Sequence, residues 1–263
     1  MAEDWQQVVR DVSSLLREGR RQVIAKMAGP MTVSEKSSRK DLVTNIDKSN
    51  EQFLIEGIRQ LDPTAKVLGE EGFGDQLTSL DGRVWIVDPI DGTMNFVKQH
   101  DNFAMMIGIY QDGQGQLGFI YDVMNDVLYA GGPAVNGVWA NDQRLSAPAN
   151  LALADGLIGA SAPLVVHDVA HMQKIVHDSA GMRIYGSAGI EMINVLLGKT
   201  LGYISYLKPW DIAAGQVMLN FLGVRVSTID GQPLNMLSSN LVLVATEQAQ
   251  RDILQIEEDD VSL

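Results

Sequence analysis

Cysteine is absent from the 263-residue sequence, and histidine occurs only four times. Without cysteine the chain forms no disulfide and offers no thiolate ligand to a metal. His167 and His171 stand four positions apart, a spacing that could hold a metal on a helix. No acidic motif accompanies this pair, so the preferred interpretation is an exposed helix face rather than a zinc site.

Basic residues are also scarce, with 20 Lys and Arg against 33 Asp and Glu and a formal net charge of -13. A chain this acidic is a poor non-specific partner for nucleic acid or an anionic membrane, and neither is expected to bind. No apolar run reaches the roughly 18 to 20 residues that cross a bilayer. The first residues, MAEDWQQVV, are acidic and amphipathic rather than basic and then apolar. They therefore do not resemble a signal peptide, and a cytoplasmic protein is predicted.

Hydrophobic residues make up 46% of the chain, an ordinary globular composition. The length permits one large domain or two subdomains that share a core. Short apolar runs separated by Gly and Asn turns predict an antiparallel meander in the first half, and strands alternate with helical patterns in the second. We therefore predict an α+β fold, with an N-terminal half (1–145) and a C-terminal half (146–263) forming one compact unit.

Periodicity predicts several individual elements of this fold. An amphipathic helix is expected over residues 3–28, an exposed loop over 31–41, and a further helix over 167–179. Thr44 is predicted to cap the second helix of the chain, because Asp47 follows three positions later in the manner of a capping box.

Residues 84–97, VWIVDPIDGTMNFV, form the most informative segment. The apolar residues Val84 to Val87 predict a buried strand that ends in two carboxylates, Asp88 and Asp91. Rigidly held acids of this kind suit oxygen-seeking cations such as Mg²⁺. The Gly92-Thr93 turn that follows offers free backbone N–H groups to an anion. A metal beside an anion cradle is the minimal equipment for phosphate-ester chemistry.

Two further acids lie at the ends of predicted elements. Glu70 follows the predicted strand Lys66–Gly69, and Asp211 falls in the first turn of a predicted helix. Asp211 alone is equally well explained as an acid that stabilises a helix start. What favours a functional interpretation is the occurrence of three acidic motifs in one chain.

In this order the motifs resemble the inositol monophosphatase family, part of the lithium-sensitive, Mg²⁺-dependent phosphatase superfamily. The matching segments are DLVTNID at 41–47, GEEG at 69–72, WIVDPIDGTMNFV at 85–97, GSA at 186–188 and PWDIAAG at 209–215. The resemblance implies a five-layer α-β-α-β-α sandwich of the inositol monophosphatase and fructose-1,6-bisphosphatase type. It also implies a homodimer, inhibition by lithium and two or three Mg²⁺ per site.

The resemblance assigns roles to the matching residues. Glu70, Asp88 and the carbonyl of Ile90 would hold one Mg²⁺, and Asp88, Asp91 and Asp211 a second, with Asp88 bridging. Glu70 would also assist a third, weaker ion and orient a water. Thr93, hydrogen-bonded to Asp47, would activate the attacking water. The residues expected to contact the substrate are Lys36, Gly92, Thr93, Gly186, Ser187 and Ala188. Glu71 is expected to point away from the ion or to act through water.

The mechanism that follows is direct in-line hydrolysis of a small phosphorylated metabolite, because no Ser-His pair or cysteine nucleophile is available. Inositol monophosphate is the first expectation. Animal relatives, however, carry an inositol-recognising glutamate shortly before the Trp-Asp signature, and none lies between Gly202 and Asp211 here. Ser205 and Glu191 are the candidates to take that place. Sugar monophosphates, fructose-1,6-bisphosphate, the 2′-phosphate of NADP or a 3′-phosphonucleotide therefore remain open, as does a non-catalytic dimeric regulatory protein.

Overall fold

Two large β-sheets and a small hairpin organise the chain in the computed structural model, which describes residues 4–39 and 41–260. The helices are α1 (Trp5–Met27), α2 (Asn45–Leu61), α3 (Thr93–Gln99), α4 (Ala162–Val166), α5 (Met172–Asp178), α6 (Ala188–Leu196), α7 (Pro209–Phe221) and α8 (Glu247–Asp260). The strands are β1 (Val33–Ser38), β2 (Asp41–Thr44), β3 (Lys66–Gly69), β4 (Arg83–Asp91), β5 (Ala104–Gln111), β6 (Gln114–Asp122), β7 (Val127–Gly132), β8 (Gly137–Ala140), β9 (Gln143–Arg144), β10 (Leu157–Ala160), β11 (Gly181–Arg183), β12 (Gly202–Leu207), β13 (Arg225–Thr228) and β14 (Asn240–Ala245).

The two sheets alternate with helices in five layers. The seven-stranded sheet has the order β3-β4-β5-β6-β7-β8-β9, and the five-stranded sheet has the order β11-β10-β12-β14-β13. One apolar cluster joins α1 and α2 to the outer face of the larger sheet. A second buries α6 and α7 between the two sheets, and a third packs α4, α5 and α8 on the far face of the smaller sheet. This arrangement confirms the predicted α-β-α-β-α sandwich; the division at 145/146 stays a prediction.

Small side chains allow α7 to approach the larger sheet closely. A Cβ on Gly118 of β6 would lie 2.1 Å from the Ala214 carbonyl oxygen, and one on Gly108 of β5 would lie 2.9 Å from the Ala213 Cβ. Substituting either glycine would therefore push the helix away from the sheet. The Ala-Ala-Gly run of the PWDIAAG motif thus fixes the position of the helix that begins next to Asp211.

The predicted loop over 31–41 is wrong, because most of it forms a hairpin. Strand β1 pairs antiparallel with β2, with Val33 opposite Thr44 and Glu35 opposite Leu42. Ser34 and Glu35 of β1 are exposed and the strand carries no periodic signal, so only the backbone pairing with the partly buried β2 makes it a strand. The hairpin brings Lys36 into the middle of an ordered strand.

The predicted helix over 167–179 is correct only from Met172 onward. Asp168, Ala170 and His171 have positive φ angles, which right-handed helices exclude, so α4 and α5 are separate. His167 and His171 consequently do not share a helix face. In contrast, the predicted first helix is confirmed as α1, although residue 3 of that prediction lies outside the described residues.

Across residues 4–39 and 41–260, none of the helices combines the length and apolarity that crossing a membrane requires.

Candidate active site

Asp88 and Asp91 lie at the C-terminal end of β4, an interior strand of the larger sheet. Both side chains are buried, and the pairing of β4 with β5 shifts register between them. The Asp88 carboxylate accepts the backbone N–H of Ile90 at 3.0 Å. The Asn50 side chain, from α2, donates to the Pro89 carbonyl oxygen at 2.8 Å. These contacts hold the irregular Asp-Pro-Ile-Asp backbone in one conformation.

Asp91 joins this strand to the start of α6. Its carboxylate accepts the backbone N–H of Ala188 at 3.1 Å and that of Gly189 at 2.8 Å, and also the Ser187 hydroxyl. Ser187 in turn caps α6, since its hydroxyl oxygen accepts the Ile190 N–H at 3.2 Å. An anion at a helix N-terminus is favoured by the free N–H groups and the helix dipole.

Helix α7 brings Asp211 to the same place from the other half of the chain. Asp211 lies in the first turn and accepts the backbone N–H of Lys208 at 2.7 Å, as the sequence predicts for a helix-start acid. One carboxylate oxygen from each of Asp88, Asp91 and Asp211 lies within 4.8 Å of the others. Two acids of β4 and one acid of α7, which is distant in sequence, therefore converge.

Burial of this acidic cluster makes its negative charge costly. Burial, with repulsion from Glu70, Asp91 and Asp211, holds the pKa of Asp88 well above its usual range. Burial likewise raises the pKa of Asp91 to about 6 and that of Asp211 to about 8. Buried carboxylates need a compensating cation, and an all-oxygen donor set is the one that Mg²⁺ prefers. These residues therefore fit a divalent metal centre.

Glu70 and Glu71 meet Lys36 beside this cluster. The Lys36 ammonium lies 2.8 Å from Glu70 Oε1 and 2.5 Å from Glu71 Oε1. Burial of Lys36 opposes its charge, but attraction and hydrogen bonding by the two glutamates outweigh this and raise its pKa. Burial also raises the pKa of Glu71, although its hydrogen bond to Lys36 works in the opposite direction. Lys36 thus neutralises part of the acidic site.

Thr93 and Asp47 form a hydrogen-bonded pair beside the acidic cluster. The Thr93 hydroxyl lies 3.0 Å from Asp47 Oδ1 and 3.2 Å from the Ile90 carbonyl oxygen, and can donate to either. Thr44 caps α2 and contacts the other Asp47 oxygen through its hydroxyl and its N–H, which confirms the predicted capping box. Burial raises the pKa of Asp47 against the effect of these hydrogen bonds.

Two adjoining cavities open at this centre. A cavity of about 200 Å³ is lined by Asp41, Leu42, Glu70, Asp88, Ile90, Asp91, Gly92, Thr93, Met94, Gly186 and Asp211. A cavity of about 400 Å³ is lined by Asp91, Ala160, Ser161, Ala162, Pro163, Ile184, Gly186, Ser187, Ala188, Glu191, Tyr203, Ser205, Leu207 and Asp211. Asp91, Gly186 and Asp211 border both, so the acidic centre lies between a small polar space and a larger one.

The structure brings together the sequence-predicted site residues around these cavities and their rim. Two contributors were missed, Asn50 and Glu51, both buried on α2. They stand three and four positions after Asp47, on the helix face that Asp47 presents to the site. Their spacing from Asp47 is the one sequence signal for these two residues. A polar residue on a helix face does not, however, show which segment packs against that face.

Together, buried carboxylates that fit a divalent cation, a threonine hydrogen-bonded to a buried aspartate and the adjoining cavities are typical of metal-assisted phosphomonoesterases of the α-β-α-β-α type. The model of the inositol monophosphatase family matches residues 4–260. The chain therefore belongs to the inositol monophosphatase family, a family of Mg²⁺-dependent phosphomonoesterases.

Curated relatives and solved structures agree with this placement. The chain is 38% identical over 257 residues to an inositol-1-monophosphatase of Bacillus subtilis, covering 96% of this chain and 97% of the relative. It is 31% identical over 215 residues to the Nus factor SuhB of Escherichia coli, covering 80% and 79%.

Among solved structures, an IMPase/NADP phosphatase complexed with NADP and Ca²⁺ superposes with a TM-score of 0.90 at 27% identity, covering 97% of both chains. The SaIMPase-II structure with inositol monophosphate bound gives a TM-score of 0.85 at 33% identity, covering 97% of this chain and 96% of the other.

Proposed function

We propose that this chain hydrolyses small phosphate monoesters in a Mg²⁺-dependent reaction, with inositol monophosphate first among its substrates. The observation that carries the proposal is the convergence of Asp88, Asp91 and Asp211 within 4.8 Å, next to the Thr93–Asp47 pair. The names of the Bacillus relative and of the inositol monophosphate complex support the substrate.

The ligands divide between two cations. Glu70, Asp88 and the Ile90 carbonyl would hold one Mg²⁺, and Asp88, Asp91 and Asp211 a second, so that Asp88 serves both. Glu70 would also assist a third, weaker ion. When bound, Mg²⁺ neutralises the phosphate dianion, makes a coordinated water a better nucleophile and stabilises the leaving alkoxide.

Thr93 and Asp47 position the attacking water and receive its proton. Because the Thr93 hydroxyl proton is directed to Asp47 or to the Ile90 carbonyl, the threonine oxygen is left to accept a hydrogen bond from water. Proton transfer toward Asp47 then accompanies attack at phosphorus. The backbone N–H groups of Gly92 and Thr93 would bind the phosphate, and Lys36 would approach the same region from the β1–β2 hairpin.

Gly186, Ser187 and Ala188 would line the side that receives the substrate's alcohol portion. The larger cavity there is also lined by Glu191 and Ser205, the two candidates to replace the inositol-recognising glutamate of animal relatives. The NADP-bound structural relative favours a second candidate, the 2′-phosphate of NADP, and the size and mixed polar and apolar lining of this cavity are compatible with it. Fructose-1,6-bisphosphate and a 3′-phosphonucleotide use the same chemistry.

Phosphate release across a substrate panel, with Mg²⁺ and with EDTA in its place, tests this proposal. The panel contains inositol 1-phosphate, NADP, fructose-1,6-bisphosphate and a 3′-phosphonucleotide. Mg²⁺-dependent release from inositol 1-phosphate at the highest kcat/KM is expected. A higher kcat/KM for NADP would reassign the substrate but keep the mechanism, whereas release unaffected by EDTA would contradict it.

A non-catalytic regulatory role is the candidate from another class, and the likeness to a Nus factor supports keeping it. It predicts no Mg²⁺-dependent release from any substrate of the panel. We also propose that the chain is a cytoplasmic homodimer, which light scattering of the purified protein and cell fractionation would test.

A further inference from the structure

Glu51 lies underneath the turn that carries Glu70 and Glu71. It is 0% exposed and sits one helical turn after Asp47 on α2. Its Oε2 atom accepts the backbone N–H of Glu71 at 2.6 Å. Its Oε1 atom is buried and has no hydrogen-bond donor within the parts of the chain that the structure describes. One oxygen of the carboxylate therefore accepts a hydrogen bond from the turn, and the other oxygen is buried without a hydrogen bond.

The turn is shaped around this carboxylate. A Cβ added to Gly69 would lie only 1.9 Å from Glu51 Oε1. A Cβ on Gly74, where the turn ends, would lie 2.5 Å from the Val67 carbonyl oxygen and 2.7 Å from the Gly69 nitrogen. Glycine at both positions lets the backbone of residues 69–74 close over Glu51 without a gap.

Protein stability alone does not account for a glutamate at this position. Burying a carboxylate with an unpaired oxygen costs free energy, and an apolar side chain of similar size avoids that cost. What the glutamate adds is an acceptor that fixes the backbone of Glu71. The Glu70 and Glu71 side chains both contact Lys36, and Glu70 also lines the small cavity with Asp88, Asp91 and Asp211.

We propose that Glu51 is a positioning residue that fixes the Glu70–Glu71 turn, so that Glu70 is oriented to bind a divalent cation. The inference rests on the proposed function, since it takes Glu70 as a ligand. Residues that orient metal ligands from behind typically change metal affinity by about 10- to 100-fold when they are removed.

Four variants separate positioning from general stability. Glu51→Ala removes the acceptor, and Glu51→Asp keeps the charge but withdraws it by one methylene. Glu51→Gln keeps an oxygen that can accept the Glu71 N–H. Ile55→Ala is the matched control, because Ile55 is a buried apolar residue on the same helix. Its truncation should lower the melting temperature, because a buried apolar side chain is lost, while Glu51 keeps its hydrogen bond to the Glu71 N–H.

The measurement is calorimetric titration of the folded, substrate-free protein with Mg²⁺ alone, alongside hydrogen exchange of residues 70–73 in EDTA. Glu51→Ala and Glu51→Asp should weaken Mg²⁺ binding at least tenfold and speed exchange of the Glu71 amide. Glu51→Gln should bind within about threefold of the parent protein, and Ile55→Ala should melt earlier with unchanged affinity.

Parent-like Mg²⁺ affinity in folded Glu51→Ala or Glu51→Asp overturns the proposal, as does a Glu51→Gln variant as impaired as Glu51→Ala. If Glu51→Ala does not fold, Glu51→Asp and Glu51→Gln decide. Because no substrate is present, a parent protein that binds Mg²⁺ but releases no phosphate refutes only the proposed function.

Discussion

The Thr93 hydroxyl lies 3.0 Å from Asp47 Oδ1, although the two residues are 46 positions apart. The contact links the first turn of α3 to the first turn of α2, where the Thr44 capping box holds the other Asp47 oxygen. A hydroxyl is a weak base by itself. Its direction toward a fixed carboxylate is what gives the pair a role in moving a proton.

Removing either member of this pair should slow turnover without weakening substrate binding. We expect Asp47→Asn and Thr93→Val each to lower kcat by roughly 10²- to 10⁴-fold with little change in KM, because both act in proton transfer. The double variant should be no slower than the worse single variant, since residues that act as one unit are non-additive. Steady-state kinetics at saturating Mg²⁺ measures all three. Multiplicative losses would show that the residues act separately.

Gly92 combines a positive φ angle, which suits glycine, with a close contact. Its φ is +86°, and a Cβ would lie 2.8 Å from the Ser187 Cβ, whereas Gly113 has a φ of +76° with nothing within 4 Å of its Cβ position. Gly113→Ala should therefore be destabilised by about 1 kcal/mol, the cost of a positive φ at alanine alone. Gly92→Ala should be destabilised more, by about 2–3 kcal/mol, and should lose most activity. Denaturant unfolding and phosphate release measure the two effects. Equal stability losses would remove the contact with Ser187 from the explanation.

Glu191 should make stability depend on pH. Burial raises its pKa to about 7 from the ordinary value of 4.5, although the N–H of Tyr185 favours the charged form. Between these values the folded state keeps a proton that the unfolded state has released. The free energy of unfolding therefore falls as pH rises from about 4.5 to 7, by on the order of 3 kcal/mol, and the loss is complete above pH 7.

Glu191→Gln should remove the Glu191 contribution to this pH dependence, because the amide does not titrate there, and leave that of the buried Asp88, Asp91 and Asp211 carboxyls. Urea unfolding of both proteins in EDTA at pH 5, 6, 7 and 8 measures it, with the exposed Glu56→Gln as control. The advantage of Glu191→Gln over the parent should grow with pH, while Glu56→Gln follows the parent. Parallel curves for all three proteins would mean that the Glu191 carboxyl titrates alike in both states.

Lithium should inhibit the reaction at roughly tens of millimolar. A small, hard monovalent ion competes for the oxygen ligands of the weaker cation position. Activity assays at fixed Mg²⁺ with LiCl, and with KCl as a salt control, test this. Identical curves for the two salts would show that the weaker position is shaped differently here.

The sequence predicted those parts of the site whose ligands lie within one short motif. Asp88 and Asp91 follow a buried strand, and Asp211 begins a helix, so local patterns place each at the end of an element. Their convergence, however, depends on α7 packing against glycines of β5 and β6, which only the three-dimensional contact between distant segments reveals. At the level of sequence, only the family resemblance predicted that Asp211 would lie beside Asp88 and Asp91.

Contacts without a local pattern escaped prediction. Polar strand β1 forms only because β2 is there to pair with it, and its pairing places Lys36 against Glu71. Asp168, Ala170 and His171 have positive φ angles, although none of them is a glycine and no local pattern predicts this conformation. The burial of Glu51 was not predictable either, because it depends on the packing of the turn from Gly69 to Gly74 against α2.

Turnover by Asp88→Asn tests the central claim most directly, because Asp88 is the ligand that both proposed cations share. Phosphate release from the best substrate of the panel should fall by at least roughly 10³-fold at any Mg²⁺ concentration, since charge stabilisation at phosphorus depends on that carboxylate. The control Asp142→Asn, on the exposed turn between β8 and β9, should match the parent protein. Activity of a folded Asp88→Asn variant within tenfold of the parent would contradict the account.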